Sequence, residues 1–310
     1  MEFIHPACHP PKDFDRLNAT NPELIKYGLP PRPPRGSDQR LQDRWLHNMS
    51  FPLHYIYPHF HIRRDEINRM PVAVPDNSTT TISRDWCGAI LSPPKGQRFL
   101  AVCANWTVPN VYPPESARTG ESTWKDGIYY RCLTVGLDGV GDNACDLLVG
   151  TTSEVEVSGG QIVRQVAYIR ARYPMKGPDV EVTNFNVKPG DFICARVHID
   201  PVDNTKGTAI LLNESAAQYT SFRYDLSGGL HFGGGPARWG IEDIGDLVDY
   251  KYNAFAKVGA TYIVEPFAVS PINNVLRAFD LSDAAIVNMS HDHKIACSAS
   301  KVTPDLLKIY

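Results

Sequence analysis

One carboxylate stands near the end of an apolar, β-favouring run, where a sheet would be expected to pack. The run extends from Ala260 to Phe267, and its carboxylate is Glu265. A glutamate flanked by Ile263 and Val264 is either exposed at the rim of a sheet or held in an apolar cleft. Burial in such a cleft would raise the pKa of Glu265 and suit it to proton transfer near neutral pH.

Three histidines in the first part of the chain are the candidates for a metal site. They are His54, His59 and His61, and the last two would share one face of a strand. No carboxylate or cysteine stands nearby at a spacing typical of metal ligands. We therefore predict surface or packed histidines, with no metal and no cofactor.

Composition and charge exclude several classes of function. The chain has 310 residues, of which 43% are hydrophobic and 21% charged, and its net charge is -3. This is a globular composition without a long basic block, so neither nucleic acid nor an acidic membrane surface is expected as a partner. No apolar run approaches the roughly 20 residues that span a bilayer.

Short β-favouring runs dominate the chain after residue 80, and they predict its fold class. Runs such as Phe99–Val108, Gln161–Arg172 and Thr261–Phe267 are separated by Gly, Pro, Asn and Asp. This spacing favours an all-β sandwich or barrel. Asp225–Tyr252, rich in glycine, is predicted to be a long loop with a short helix-like piece.

The first 80 residues differ from the rest and are predicted to form an irregular extension. Residues 1–80 are rich in Pro, His and Arg, and Pro30–Pro34 is typical of polyproline-type chain. Asp38–Trp45 is a possible short helix, since Leu41 and Trp45 are spaced to make one apolar face. We expect this extension to pack on, or lead into, a domain comprising residues 81–310.

Cysteines and glycosylation signals favour a secretory route. Cys87 with Cys103, and Cys132 with Cys145, are candidate disulfides within a set of seven cysteines. No signal peptide is visible at the start, so we expect that a leader has been removed, although a cytoplasmic location stays open. The Asn-x-Ser/Thr pattern occurs more often than chance predicts, and N-glycans are expected at Asn18, Asn48, Asn77, Asn105, Asn213 and Asn288.

A series of short motifs, in order along nearly the whole chain, resembles one family, the fungal glutamic peptidases (eqolisins). Each motif is weak singly, and the series gives the resemblance its specificity. The motifs are Asp85–Leu91, Asn105–Pro109, Val135–Gly139, Tyr173–Pro174, Val187–Asp191 and Ile263–Glu265, together with a leader-like Lys26–Pro33 and Trp45.

The resemblance implies a concanavalin A-like sandwich of two antiparallel sheets with a cleft on a concave face. It also implies a catalytic pair, a glutamine and a glutamate, and the glutamate would be Glu265. The glutamine should precede Gly150 by two residues, but Leu148 stands there. A leucine side chain has no hydrogen-bond donor or acceptor, so the family's mechanism of amide hydrolysis is not expected.

Other positions that the resemblance places in the cleft have also lost polar or aromatic groups. In the strand before Pro174, the cleft-facing residues would be Ala167, Ile169, Ala171 and Tyr173, and Thr134 replaces a tryptophan of the family. Arg170 and Arg172 would face the other way, although a slip of one residue would reverse the two faces.

These observations predict a non-proteolytic enzyme with Glu265 as its acid/base residue. Its substrate would be an apolar small molecule, undergoing cyclisation, dehydration or isomerisation in fungal secondary metabolism. Trp86, Asp138 and Tyr173 would shape or orient the site, and Leu148, Ile169, Ala171 and Thr134 would line it.

The alternatives are a catalytically inactive pseudopeptidase that binds a ligand or peptide, and a peptidase that uses Gln161 or Gln165 in place of the missing glutamine. The oligomeric state stays open.

Overall fold

Two large β-sheets packed face to face make up the protein, as the sequence predicts. A computed structural model describes residues 4–62, 81–139, 145–172, 179–242, 256–291 and 294–310. Each sheet has ten strands, and a separate two-stranded ribbon lies beside them. The all-β sandwich is therefore confirmed. No described helix is long and apolar enough to cross a membrane.

The elements follow one another along the chain in this order. The first part contains β1 (Ile4–Pro6), α1 (Asn21–Lys26), α2 (Gln39–Ser50), β2 (His54–Tyr55), β3 (Phe60–Ile62), β4 (Thr81–Ser83), β5 (Trp86–Leu91), β6 (Ala101–Thr107), a 3₁₀ turn (Glu115–Ala117), β7 (Arg118–Gly120), β8 (Thr123–Trp124) and β9 (Gly127–Asp138). The second part contains β10 (Asp146–Ser158), β11 (Gln161–Arg172), β12 (Asp179–Val187), β13 (Phe192–Ile199), β14 (Lys206–Asn213), β15 (Gln218–Asp225), β16 (Ala237–Glu242), β17 (Thr261–Ile272), β18 (Val275–Phe279), β19 (Ala285–His291), β20 (Lys294–Cys297), β21 (Ala299–Thr303) and β22 (Leu306–Ile309).

The two sheets have different strand orders, and we name them sheet A and sheet B. Sheet A runs β1-β15-β14-β13-β6-β17-β22-β21, with β2 and β18 as side branches. Sheet B runs β20-β19-β5-β16-β9-β10-β11-β12-β3, with β4 as a side branch. Pairing is antiparallel except at β2–β15 and β4–β19.

Side chains that alternate along the strands fill the space between the sheets. In β9, Leu133, Val135 and Leu137 belong to the buried core, so Thr134 and Gly136 face outward. Hydrogen bonds cross this apolar layer: the Trp106 indole N–H donates to Thr151 Oγ1 over 2.8 Å, and the Trp239 indole N–H donates to the Cys103 carbonyl oxygen over 2.9 Å. Buried indoles usually need such a partner, and these bonds fix how the sheets lie against each other.

The N-terminal extension is less irregular than predicted: β1 and β2 join sheet A, β3 joins sheet B, and the helices pack on the outer face of sheet A, the face turned away from sheet B. Helix α1 begins with a capping box between Thr20 and Glu23. Helix α2 buries Leu41 against Phe267 and its neighbours, and Trp45 within a second apolar cluster. The predicted helix at residues 38–45 is therefore present, and it extends to Ser50.

One predicted loop contains a central strand. The sequence predicts an irregular segment from Asp225 to Tyr252, but β16 lies within it and pairs with β5 on one side and β9 on the other. Every residue of β16 is buried. The sequence of β16 alternates apolar Ala237, Trp239 and Ile241 with Arg238, Gly240 and Glu242. This two-residue period was missed because the glycines before it in the sequence are typical of a loop.

The cysteine and glycosylation predictions are also changed by the structure. All seven cysteines are free thiols, so both predicted disulfides are wrong for this structure.

Asn48, Asn105 and Asn213 are buried, with exposures of 7%, 2% and 0%, and their side-chain amides donate inside the fold. A glycan cannot be accommodated at these three positions. Asn18 is exposed and Asn77 lies outside the described residues, so the excess of glycosylation signals supports a secretory route less than expected.

Neighbouring residues of α2 provide a test of whether the extension is an integral part of the fold. Trp45 is 7% exposed and its indole N–H donates to the Pro30 carbonyl oxygen over 2.9 Å, whereas Leu46 is 53% exposed. Trp45→Ala should lower the free energy of unfolding by about 3–5 kcal/mol, whereas Leu46→Ala should change it by less than about 0.5 kcal/mol. Urea denaturation measures both, and equal small changes would show that α2 is not packed on sheet A in solution.

Candidate functional site

The outer face of sheet B carries several residues that the sequence assigns to the site. Thr134 and Asp138 project from β9, and Leu148 projects from β10, on the side opposite the buried Leu147 and Val149. Trp86 of β5 is on the same face, where it packs with Ile90 and Val287. A Cβ at Gly240 would lie only 2.7 Å from the Trp86 ring, so this glycine provides the space for the tryptophan.

Two arginines flank Leu148 on this face. Since Val149 pairs with Ala171 and both point into the core, the next residues, Leu148 and Arg172, both face outward. Leu148 also lies next to Arg238. A Cβ at Gly136, between them, would be 3.2 Å from Arg238 Nη2 and 3.5 Å from Leu148 Cδ1. The position of the expected glutamine is therefore occupied by an apolar side chain between two guanidinium groups.

Arg172 connects the carboxylates of this face. Its Nη2 makes a short contact with Glu242 Oε2, and its Nη1 donates to Asp146 Oδ2 over 2.8 Å. Arg238 Nη2 also reaches Asp146 Oδ2, at 3.3 Å, and Arg170 makes a short ion pair with Asp179. Desolvated charges persist only when they are paired, and this network provides the pairing.

The network is buried and balanced in charge. It contains Arg170, Arg172 and Arg238, which match Asp146, Asp179 and Glu242 in number, and each of the six residues is at most 7% exposed. The sequence predicts a dry, apolar cleft holding one carboxyl group, and the structure contradicts this prediction because guanidinium and carboxylate groups dominate the same face.

Asp138 stabilises a turn at the edge of the outer face of sheet B. Its carboxylate accepts the backbone N–H of Gly234 over 3.1 Å and makes a short bond with that of Gly235. Burial raises the pKa of Asp138, and the same backbone bonds oppose the shift. Its backbone is left-handed, with φ of 65°. Asp138 therefore anchors the glycine-rich segment before β16, and its carboxylate is committed to that turn.

Glu265 lies on the other sheet, which corrects its predicted place in the cleft. It belongs to β17 of sheet A, and its side chain is 49% exposed. A short ion pair joins it to Arg44 of α2, and Asn105 Nδ2 donates to its Oε2 over 3.4 Å. Glu265 is thus an ion-paired residue at the junction of α2 and sheet A, away from Leu148.

A bulge in β17 determines how Glu265 is oriented within sheet A. The pairing of β17 with β6 shifts register between Val264 and Phe267, and Glu265 has a φ of 48°. The extra residue changes which face the following side chains occupy. Ile263 therefore points into the core, whereas Phe267 packs under α2, and a simple alternation read from the sequence fails there.

The β11 residues assigned to the cleft show the slip of one residue that the sequence left open. Ile169 and Ala171 are fully buried in the core between the sheets, and Arg170 and Arg172 face outward. Ala167 is partly buried against that core. Tyr173 lies outside the described residues. The predicted site of Glu265, Ile169 and Ala171 with Trp86, Thr134, Asp138 and Leu148 is therefore not assembled.

Neither candidate substitute for the missing glutamine lies near Leu148. Gln161 pairs with Ser158 and Gln165 with Val155, toward the other end of β10. Val155 is seven positions from Leu148, which corresponds to roughly 23 Å along a strand. Both glutamine side chains donate to backbone carbonyl oxygens at that end.

Sequence reasoning missed Glu242 as the acid on the face of Leu148. Its backbone pairs with Trp86 and Cys132, and the alternation in β16 was the signal that could have identified it. Among the described residues, no group of three or more His, Cys, Asp and Glu side chains is arranged to hold a metal ion.

Comparisons with known proteins agree with this architecture. Residues 84–309 match the model of the peptidase A4 family. A crystal structure of scytalido-glutamic peptidase with a transition state analog inhibitor aligns with a TM-score of 0.54 and 19% identity, covering 73% of this chain and 98% of the other. SCP-B, a member of the eqolisin family of peptidases in a complex with the tripeptide Ala-Ile-His, aligns with a TM-score of 0.50, 20% identity and the same coverage. A search of curated proteins gives no significant match.

Removing Arg172 tests whether the network supports the fold. Arg172→Met leaves the buried Glu242 and Asp146 without their shared partner, and we expect a loss of about 3–5 kcal/mol in the free energy of unfolding. Lys257 pairs with Glu115, and the two side chains are 56% and 57% exposed, so Lys257→Met should cost less than about 1 kcal/mol. Urea denaturation distinguishes the two, and a loss for Arg172→Met as small as that of the control would contradict the pairing.

Proposed function

The chain belongs to the peptidase A4 family, and from that premise we propose that it is a non-proteolytic member of it. Amide hydrolysis by a glutamine–glutamate pair needs a positioned water and a donor to the oxyanion. Leu148 can supply neither. Losing one such donor typically lowers the rate by about a hundredfold to a thousandfold.

The ion pair between Arg172 and Glu242, next to Leu148, is the observation that carries this proposal. Glu242 is one of the carboxylates on the face of Leu148, and its Oε2 is occupied by Arg172. A carboxylate oxygen held by a guanidinium is not available to orient and deprotonate an attacking water. The leucine at the glutamine position and the ion pair of Glu242 are thus two separate reasons to expect no peptidase activity.

The function that this arrangement supports best is that of a pseudopeptidase, which binds a ligand through the outer face of sheet B without cleaving it. Guanidinium groups from β11 and β16 stand on that face beside Leu148 and Trp86. These side chains are at most 7% exposed, so binding requires part of this packing to open, and the ligand that suits the groups then exposed is polar, with an apolar part. The apolar metabolite expected from the sequence fits this face less well.

An acid–base enzyme acting on a small molecule is the second candidate. The observation in its favour is the burial of Glu242, which is 5% exposed and lies beside Trp86, because enzymes commonly shield their acid–base groups from bulk water. In this case Glu242, rather than Glu265, would transfer the proton in a cyclisation, dehydration or isomerisation.

A secretory location remains a proposal, supported by the exposed glycosylation signal at Asn18.

Casein digestion at acidic pH tests the loss of peptidase activity. We expect no cleavage above background by the natural chain, by Glu242→Gln or by Glu265→Gln. Leu148→Gln alone should also be inactive, because Arg172 still holds Glu242. Robust cleavage by the natural chain that is lost in Glu242→Gln and kept in Glu265→Gln would overturn the proposal.

A thermal-shift screen separates the pseudopeptidase from the enzyme. The probes are short peptides, amino acids and small organic acids, with mass spectrometry of each probe after incubation. A pseudopeptidase should be stabilised by a polar probe that is recovered unchanged. Conversion of a probe that disappears in Glu242→Gln would favour the second candidate.

A further inference from the structure

Most of the hydrogen-bond donors of Arg238, on the outer face of sheet B, have no acceptor. Arg238 is 3% exposed. A guanidinium has five N–H groups, and within the described part of the chain only Nη2 of Arg238 reaches an acceptor, Asp146 Oδ2 at 3.3 Å. The Nε of Arg238 is buried without a hydrogen-bond partner. Unsatisfied buried donors cost free energy, so a ligand that supplies acceptors would be favoured at this position.

The ion network can release Arg238 without losing a pair. Asp146 Oδ2 also accepts a hydrogen bond from Arg172 Nη1, over 2.8 Å, so Asp146 stays paired if Arg238 turns toward a ligand. Arg172 has no such freedom, because turning it away would break its short contact with Glu242. Arg238 is therefore the guanidinium beside Leu148 that is available for recognition.

Apolar side chains flank Arg238 on both sides. Arg238 pairs with Ile90 of β5 and with Gly136 of β9, and directly opposite residues share one face of a sheet. Ile90 packs with Trp86, and Leu148 lies on the far side of Gly136. A hydrogen bond between a guanidinium and a carboxylate is stronger among such groups, because they lower the local dielectric constant.

We propose that Arg238 binds the carboxylate of the ligand, so that the outer face of sheet B recognises a small organic acid with an apolar group. This inference rests on the proposed function, because it assumes that the face binds a ligand without cleaving it. The planar fork of Arg238 offers parallel N–H groups to the two carboxylate oxygens. The apolar group of the ligand packs against Ile90 or Leu148.

A matched pair of probes tests the proposal on the full chain. N-acetyl-leucine and N-acetyl-leucine amide have the same apolar part and differ in the carboxylate. Their binding is measured by isothermal titration calorimetry at one fixed ionic strength. We expect the acid to bind about tenfold to a hundredfold more tightly than the amide, because a hydrogen bond to a charged group contributes that much.

Variants of Arg238 assign the preference to this side chain. Arg238→Met keeps an unbranched side chain but removes the guanidinium, and it should abolish the preference for the acid. Arg238→Lys keeps the charge without the planar fork, and it should reduce the preference without abolishing it. Lys257 is an exposed cation paired with Glu115, so Lys257→Met should bind both probes as the unmutated chain does.

Three results would overturn the proposal. They are equal binding of the two probes by the unmutated chain, no binding of either probe by that chain, and a preference for the acid that survives in Arg238→Met. The first two need no variant, so they apply even if a variant fails to fold. Casein cleavage would overturn the proposed function, whereas these results concern the carboxylate alone, and the two failures are therefore distinct.

Discussion

A guanidinium buried on the outer face of sheet B is the constraint on which the functional conclusions depend. Arg172 contacts Glu242 and Asp146, and its Nε lies 3.6 Å from Asp179 Oδ1. Each partner comes from a different strand, so the network holds β16, β10 and β12 to β11. A buried ion without partners would cost several kcal/mol. The carboxylates are therefore held for stability, and this use competes with any use of Glu242 in hydrolysis.

The architecture was largely predictable from the sequence. Runs with two-residue alternation and turn residues between them predicted the sandwich, because a sheet with one buried face imposes that pattern. The helix near Trp45 was predictable from the spacing of Leu41 and Trp45. Strand β16 was missed because glycines on both sides resemble loop sequence, although its own six residues alternate clearly.

The site was less predictable, because it depends on which face each strand turns to the other sheet. A shift of one residue in β11 exchanges Ile169 and Ala171 with Arg170 and Arg172. The sequence alone does not determine which of these two pairs faces the other sheet. Glu265 was misplaced for a different reason, because its strand, β17, belongs to sheet A and not to the sheet of Leu148. Leu148 was identified from the family resemblance, as the glutamine position in the run Leu147–Gly150, and it lies on the face that contains the ion network.

The most direct test is the coupling energy between Arg172 and Glu242, measured by a double-mutant cycle with Arg172→Met and Glu242→Gln in urea denaturation. We predict a coupling of about 1.5–3 kcal/mol, because the two side chains share one buried contact. A coupling near zero would contradict the conclusion that Glu242 is held by Arg172, and it would leave this carboxylate free for catalysis.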